Sequence, residues 1–305
     1  TIETIRMAIL NQKIGVVGLG IMGSAISANL LKAGFTVIGY DILPESVQTL
    51  ESHGGSGAAS VRELAEASDV VITSLPSVAA LQEVVSGPDG FLTAAKKGLI
   101  VVEVSTFPIA AKQEAFDMLE KTGTVMLDCP LSGTGAQAVT KDLAVYASGD
   151  RRSCEKCQPV FDGFTRVNYY VGEFGTGSKM KFIANLLVAI HNVASAEAFV
   201  LGKKAGLDPD LIYKVISDGA GTSRMFEVRG PMMAAGKYDQ ATMKVGVFQK
   251  DLDIISTFAK SLQCPTPLLS TSCQIYTQAL AGGRSQQDTA SVCAVLEDMA
   301  HLKKE

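Results

Sequence analysis

Tryptophan is absent from the 305-residue chain, histidine occurs three times, and neither sign of charge dominates. Without tryptophan, the one close cysteine pair, Cys154-Glu-Lys-Cys157, has no Trp-Cys-Gly-Pro character. Its charged helical setting reads as accidental spacing rather than a redox motif, and it is assigned no function. Six cysteines spread over so long a chain, with no second pair to complete a zinc site, argue against a disulfide framework or a structural metal. His53, His191 and His301 share no motif with acidic partners, so neither histidine catalysis nor a metal site is expected. With 31 acidic and 27 basic residues, the net charge of −4 provides no electropositive field for nucleic acid or an anionic membrane. No apolar run reaches the roughly 18 to 20 residues that span a bilayer, and the first dozen residues lack the layout of a secretory signal. A cytoplasmic protein with a small-molecule partner is expected. Met7 reads as a native start with extra residues before it, and residues 1–12 carry no functional argument.

What is present is a 47% hydrophobic content, enough for a sizeable core, over a length that fits about two domains. From residue 13, short β-branched runs alternate with amphipathic stretches: KIGVVG, IMGSAISANLLKAG, FTVIGYD, PESVQTLESHG. This is the βαβ rhythm of a helix-covered parallel sheet. Further strands are predicted within 69–76, 99–105, 124–128 and 143–148, and strand character fades after about residue 172. An Ala-rich apolar stretch from Ser178 to Ala205 predicts one helix of roughly 40 Å. Beyond it, helices are punctuated by Gly and Pro. The fold class expected is α/β: a dinucleotide-binding domain over 13–175 and an all-helical substrate or oligomerisation domain over 176–305, joined by the long helix.

Gly18-Leu19-Gly20-Ile21-Met22-Gly23 follows a predicted strand and opens a helix, the setting that a dinucleotide fingerprint requires. The glycines give the tight turn, the backbone approach to a pyrophosphate and close helix packing, and the helix start offers N–H groups to phosphate. Asp41 lies 23 residues after Gly18, at the end of the second strand. A carboxylate there accepts from both ribose hydroxyls and repels a 2′-phosphate, which favours NAD over NADP. Leu75-Pro76-Ser77 and Ser105-Thr106 fall at the carboxyl ends of later strands, where they read equally as cofactor contacts or as turns with capping hydroxyls.

Asp128-Cys-Pro-Leu-Ser132-Gly133-Thr134-Gly135 follows a strand with small and hydroxyl residues, either a clamp presenting N–H groups and Ser132 Oγ to a carboxylate or a plain surface loop. After Gly175-Thr-Gly177, Lys181 and Asn185 fall at i and i+4 on one face of an otherwise apolar helix. A lysine buried there has its pKa drawn toward the range useful for proton transfer. The alternative is a lysine reaching solvent, with Asn185 capping a neighbouring loop. Lys179 faces another direction. Lys250-Asp251 reads either as a closure over the cofactor or as an exposed charged pair.

Four motifs in order, GLGIMG, DCPLSGTGA, GTGSKMKFIAN and QKDL, make residues 13–298 resemble the β-hydroxyacid dehydrogenases, the group of 3-hydroxyisobutyrate, tartronate semialdehyde and threonate enzymes. The resemblance implies a Rossmann domain, an all-α domain joined by a long helix, an active site in the cleft between them, and a homodimer or homotetramer. It implies Lys181 as the catalytic lysine, Asn185 as its helical partner, Ser132 and Gly133 as the carboxylate clamp, and Lys250 near the nicotinamide. Thr134 replaces the last glycine of the usual clamp, where it narrows the pocket or adds a hydroxyl contact, and the Pro after Ser105-Thr106 comes one position early. GAGTSRMFEVRG, with Ser223, Arg224 and Phe226, points to the threonate branch. Ala184 stands where a 6-phosphogluconate dehydrogenase has His, and Lys181 is absent from typical imine reductases. The readings that remain are an NAD-dependent dehydrogenase of a small hydroxy acid, a semialdehyde reductase of the same family, and a non-catalytic dinucleotide-binding sensor or reader.

Overall fold

Alternation along the first strands sorts their side chains between two cores. In β4 (Val70–Thr73), Val70 and Ile72 join the apolar cluster under helices 21–32 and 151–164, while Val71 joins the cluster under helices 61–67, 78–86 and 109–120. A strand buried on both faces reads as a continuous apolar run, which is why β1 (Lys13–Val17), β4 and β5 (Ile100–Glu103) were legible as β-branched tracts. The computed structural model describes residues 12–94 and 96–302, so the expectation at Met7 lies outside the described residues.

With β2 (Thr36–Tyr40), β3 (Ser56–Gly57), β6 (Val125–Asp128), β7 (Leu131–Ser132), β8 (Ala144–Ser148) and β9 (Val167–Gly172), the sheet runs β3-β2-β1-β4-β5-β6-β8-β7, and β9 pairs with β8. The six strands from β3 to β6 are parallel, and the order reverses between β1 and β4. Ligands collect at such a switch point, outside the carboxyl ends of the strands. Helices α1 (Ile21–Lys32), α2 (Pro44–Ser52), α3 (Val61–Ala67), α4 (Val78–Ser86), α5 (Ile109–Glu120), α6 (Gly135–Val139) and α7 (Arg151–Phe164) complete this part of the chain. This is the expected α/β dinucleotide-binding fold.

α8 (Thr176–Lys204) leads out of the first compact unit, which ends at Lys181, into a second that begins at Phe182. Its 29 residues make it about 44 Å long at 1.5 Å per residue. By length and composition α8 could cross a membrane, a correction to the sequence reading. One such helix is weak evidence of a membrane span, and a little under half of its most apolar window, 44%, is buried inside the protein. The second unit continues with α9 (Pro209–Ser217), α10 (Arg224–Ala235), α11 (Val245–Ser261), α12 (Pro267–Ala281) and α13 (Val292–Met299). Its interior stacks Phe226 on Phe199 with ring centroids 5.2 Å apart. Arg229 pairs with the fully buried Asp288, which also accepts from the N–H groups of Thr242, Met243 and Ala290.

Candidate active site

The turn after β1 shows why it is rich in glycine. A Cβ on Gly23 would run into the Gly18 carbonyl, so α1 packs against its own entry turn only with glycine there. A Cβ on Gly20 would meet nothing within 4 Å, and Ile21 beside it is 79% exposed. No side chain caps α1 and no acidic residue lies in its first turn. Its leading N–H groups and the positive end of its dipole are therefore open to an anion. Met22 is half-buried against the sheet core.

Asp41 sits beside this turn. Its Oδ2 accepts from the Leu19 N–H at 2.6 Å and its Oδ1 from the Leu43 N–H at 2.9 Å. Two backbone donors fix the carboxylate and leave lone pairs for a ribose diol. A dinucleotide cofactor fits these residues. Across the switch point, the Leu75 N–H donates to Ser105 Oγ at 2.8 Å, tying the β4 exit to the β5 exit. Pro76 is exposed and Thr106 half-buried. Ser77 caps α4 through the Ala80 N–H, so for that residue the capping reading holds.

Beyond β6, Ser132 and Gly133 form a half-buried turn. The Thr134 N–H donates to Gln137 Oε1 at 3.0 Å, and its Oγ1 caps α6 by accepting from the Gln137 N–H at 3.5 Å. The hydroxyl starts a helix. α6 is held to α1 where Asn29 Nδ2 donates to the Ala138 carbonyl at 2.7 Å.

The start of α8 is pinned by Asp128 at the end of β6. The Ser178 N–H donates to Asp128 Oδ2 at 2.7 Å and the Ser178 hydroxyl to Oδ1 at 2.8 Å. The Gly177 N–H donates to Ser148 Oγ at 2.9 Å, and Ser148 donates to the Asp128 carbonyl at 2.9 Å. A Cβ on Gly177 would meet the Tyr146 carbonyl, with the Asp128 carbonyl 2.6 Å away, so only glycine allows the helix this close to the strands. The anchor sets the rotational phase of α8, and Lys181 follows three residues later, half-buried, while Lys179 is exposed.

In the second unit, Asn185 is buried and its Nδ2 donates to Asp251 Oδ2 on α11 at 2.9 Å. A carboxylate only accepts, so the amide orientation is set chemically. This replaces the loop-capping alternative and corrects the reading of Lys250-Asp251 as an exposed pair: Lys250 is exposed and Asp251 is buried.

Residues 13–172 match the family profile described as the NAD binding domain of 6-phosphogluconate dehydrogenase. Residues 175–296 match that described as the NAD-binding domain of NADP-dependent 3-hydroxyisobutyrate dehydrogenase. The L-threonate dehydrogenase of Haemophilus influenzae is 33% identical over 96% of this chain and 98% of its own. The chain belongs to the β-hydroxyacid dehydrogenases. This dehydrogenase is also similar to the crystal structure of 3-hydroxyisobutyrate dehydrogenase from Salmonella typhimurium, with a TM-score of 0.83, 33% identity, and coverage of 93% of this chain and 100% of that one. The Mycobacterium tuberculosis 3-hydroxyisobutyrate dehydrogenase with L-serine gives a TM-score of 0.85, 28% identity, and coverage of 94% and 99%.

Sequence reasoning missed part of the dehydrogenase's machinery. Asp128 lies inside DCPLSGTGA with no partner visible along the chain, and Asp251 reads as half of a surface pair. Lys112 and Glu103 went unnoticed, although a carboxylate inside the run IVVEVS was a signal, since a charge in a doubly buried strand requires a partner. Ser223 and Phe226, singled out for the threonate branch, serve the second unit: Ser223 caps α10 and Phe226 is buried in the aromatic stack, while Arg224 pairs with Glu227 at the surface.

Proposed function

We propose that the enzyme oxidises a small hydroxy acid of the L-threonate or 3-hydroxyisobutyrate type, with NAD preferred to NADP and Lys181 as general base. What carries the reading is the anchoring of the Lys181 helix by Asp128, immediately before the Ser132-Gly133 turn. The glycine turn at 18–23 and Asp41 would hold the cofactor, assisted by Leu75, Pro76, Thr106 and Lys250. The bound nicotinamide supplies the hydride acceptor. Ser132 Oγ and the Gly133 N–H receive the substrate carboxylate, which sets the hydroxyl-bearing carbon at a fixed reach from the clamp. Lys181 Nζ takes the hydroxyl proton as the C–H bond gives up its electron pair. Asn185, its amide oriented by Asp251, positions the hydroxyl through Oδ1. In this division, residues 13–175 carry most of the cofactor contacts and the carboxylate clamp, and 176–305 carry Lys181, Asn185, Lys250 and the oligomer contacts.

Ile183, Leu187, Ala194, Ala198 and Leu201 are exposed along one face of α8, which supports a homodimer or homotetramer assembled on that stripe. Six free cysteines and a mild negative charge accord with the cytoplasm. The test is NAD and NADP reduction over L-threonate, 3-hydroxyisobutyrate, glycerate and L-serine, repeated with Lys181→Ala. Turnover of one acid, lost by about 10²-fold or more in Lys181→Ala with NAD binding retained, is expected. Equal turnover in the two proteins refutes the role of Lys181. Binding of NAD with no turnover of any acid favours the sensor reading.

A further inference from the structure

Lys112 is fully buried in the first turn of α5, and its ammonium meets three oxygens: Glu103 Oε2 at 2.6 Å, Asp128 Oδ1 at 2.7 Å and the Ser105 carbonyl at 2.7 Å. Glu103 and Asp128 are buried as completely. Glu103 Oε1 also accepts from the Ser105 N–H at 2.9 Å. Burial raises the Glu103 carboxyl against the pull of Lys112. Burial alone would lower Lys112, but Asp128 and Glu103 outweigh it and hold the ammonium above its ordinary value. Such a cluster is a poor source of stability, because an apolar group of similar volume avoids the desolvation of three charges. It does fix geometry. From the ammonium, one line of bonds runs through Ser105 to the Leu75 N–H, and another runs through Asp128 to Ser178 at the head of the Lys181 helix.

We infer that Lys112 is a positioning residue: it joins the β4 and β5 exit turns, on the cofactor side, to the start of α8 in one rigid frame that sets where Lys181 stands. The inference rests on the dehydrogenase reading above. A displacement of about 1 Å between reacting groups costs on the order of 10²-fold in rate. The experiment compares the full-length parent with Lys112→Met and with Glu103→Gln, which keeps the volume and weakens the frame if Lys112→Met fails to fold. For each protein, kcat and KM are measured alongside amide hydrogen exchange at Leu75 and Ser178.

Expected in Lys112→Met is a kcat about 10²-fold lower, with KM for cofactor and hydroxy acid within about threefold of the parent, and faster exchange at both Leu75 and Ser178. In Glu103→Gln, a smaller fall in kcat with the same paired rise in exchange is expected. Unchanged kcat in a folded variant overturns the inference, as does a loss confined to KM or faster exchange at one of the two amides alone. If the parent turns over no hydroxy acid, the dehydrogenase reading fails by itself. Exchange then decides the frame: a joint rise supports it, and no joint rise refutes it.

Discussion

Replacing Asp41 by Ala tests the cofactor side of the site. Its carboxylate is held by the Leu19 and Leu43 N–H groups at 2.6 and 2.9 Å, so it cannot swing away from an incoming group without giving up both bonds. No cation stands in the turn that follows, Ile42-Leu43-Pro44-Glu45, to receive a 2′-phosphate. A unit negative charge about 4 Å from the carboxylate is repelled by roughly 1 to 4 kcal/mol, from water-like to near-surface screening. Hydrogen bonds from a ribose to a charged acceptor contribute about 1.5 to 3 kcal/mol each. The parent is therefore expected to prefer NAD by at least about tenfold in kcat/KM. Asp41→Ala is expected to lose about 10²-fold with NAD while NADP changes little or improves. Initial rates with both cofactors at saturating hydroxy acid measure the ratio, and low ionic strength enlarges it. A ratio that is the same in the parent and Asp41→Ala would refute the placement of the ribose at this carboxylate.

Asp288→Asn tests the second unit: with Arg229 left unpaired, unfolding by urea at pH 7 is expected to show a loss of about 3 to 5 kcal/mol. Burial alone would raise the Asp288 carboxyl, but Arg229 and the N–H groups of Ala290, Met243 and Thr242 hold it below its ordinary value. Its contribution is therefore present above the ordinary carboxylate range and lost as pH falls through the lowered value, and Asp288→Asn should flatten the acid limb of the stability curve. Gly177→Ala forces a methyl against the strand carbonyls, with an expected loss of about 1 to 3 kcal/mol and a fall in kcat larger than the change in KM; unchanged kinetics would contradict the anchoring of α8. Burial pushes the Cys154 thiol to about 11 and the Cys157 thiol to about 12. A disulfide reagent at pH 8 should label exposed Cys264 first in the native protein; rapid reaction of Cys154 and Cys157 would reopen the redox reading.

Period and punctuation made much of the fold readable. The β-branched runs of β1, β4 and β5 are buried on both faces, and the glycine turn stands where strand passes to helix, so local pattern and tertiary role coincide. Two-residue β3 and β7 carry no period of their own and exist only by pairing with neighbours already in place. Site residues divide in the same way. Asp41 stands out because its distance along the chain from the glycine turn marks it, and the fold seats it beside that turn. Lys112 sits in IAAKQEAF, which reads as an amphipathic helix with a solvated lysine, and its partners come from two strands that the linear sequence does not bring near it. Thr134 reads in the sequence as a free loop hydroxyl, and its cap partner, Gln137, is visible only as a capping box once the helix is known to begin there.

α1 and α8 begin with opposite electrical dispositions. The first presents an uncapped end, while the second has its leading N–H groups consumed by a serine hydroxyl and by a carboxylate of the same chain. Asp128 satisfies the head of the helix carrying Lys181 from within the fold. The protein therefore keeps one helix start open for a ligand and closes the other with its own side chains, so that of the two only α1 offers its dipole to what comes from solution.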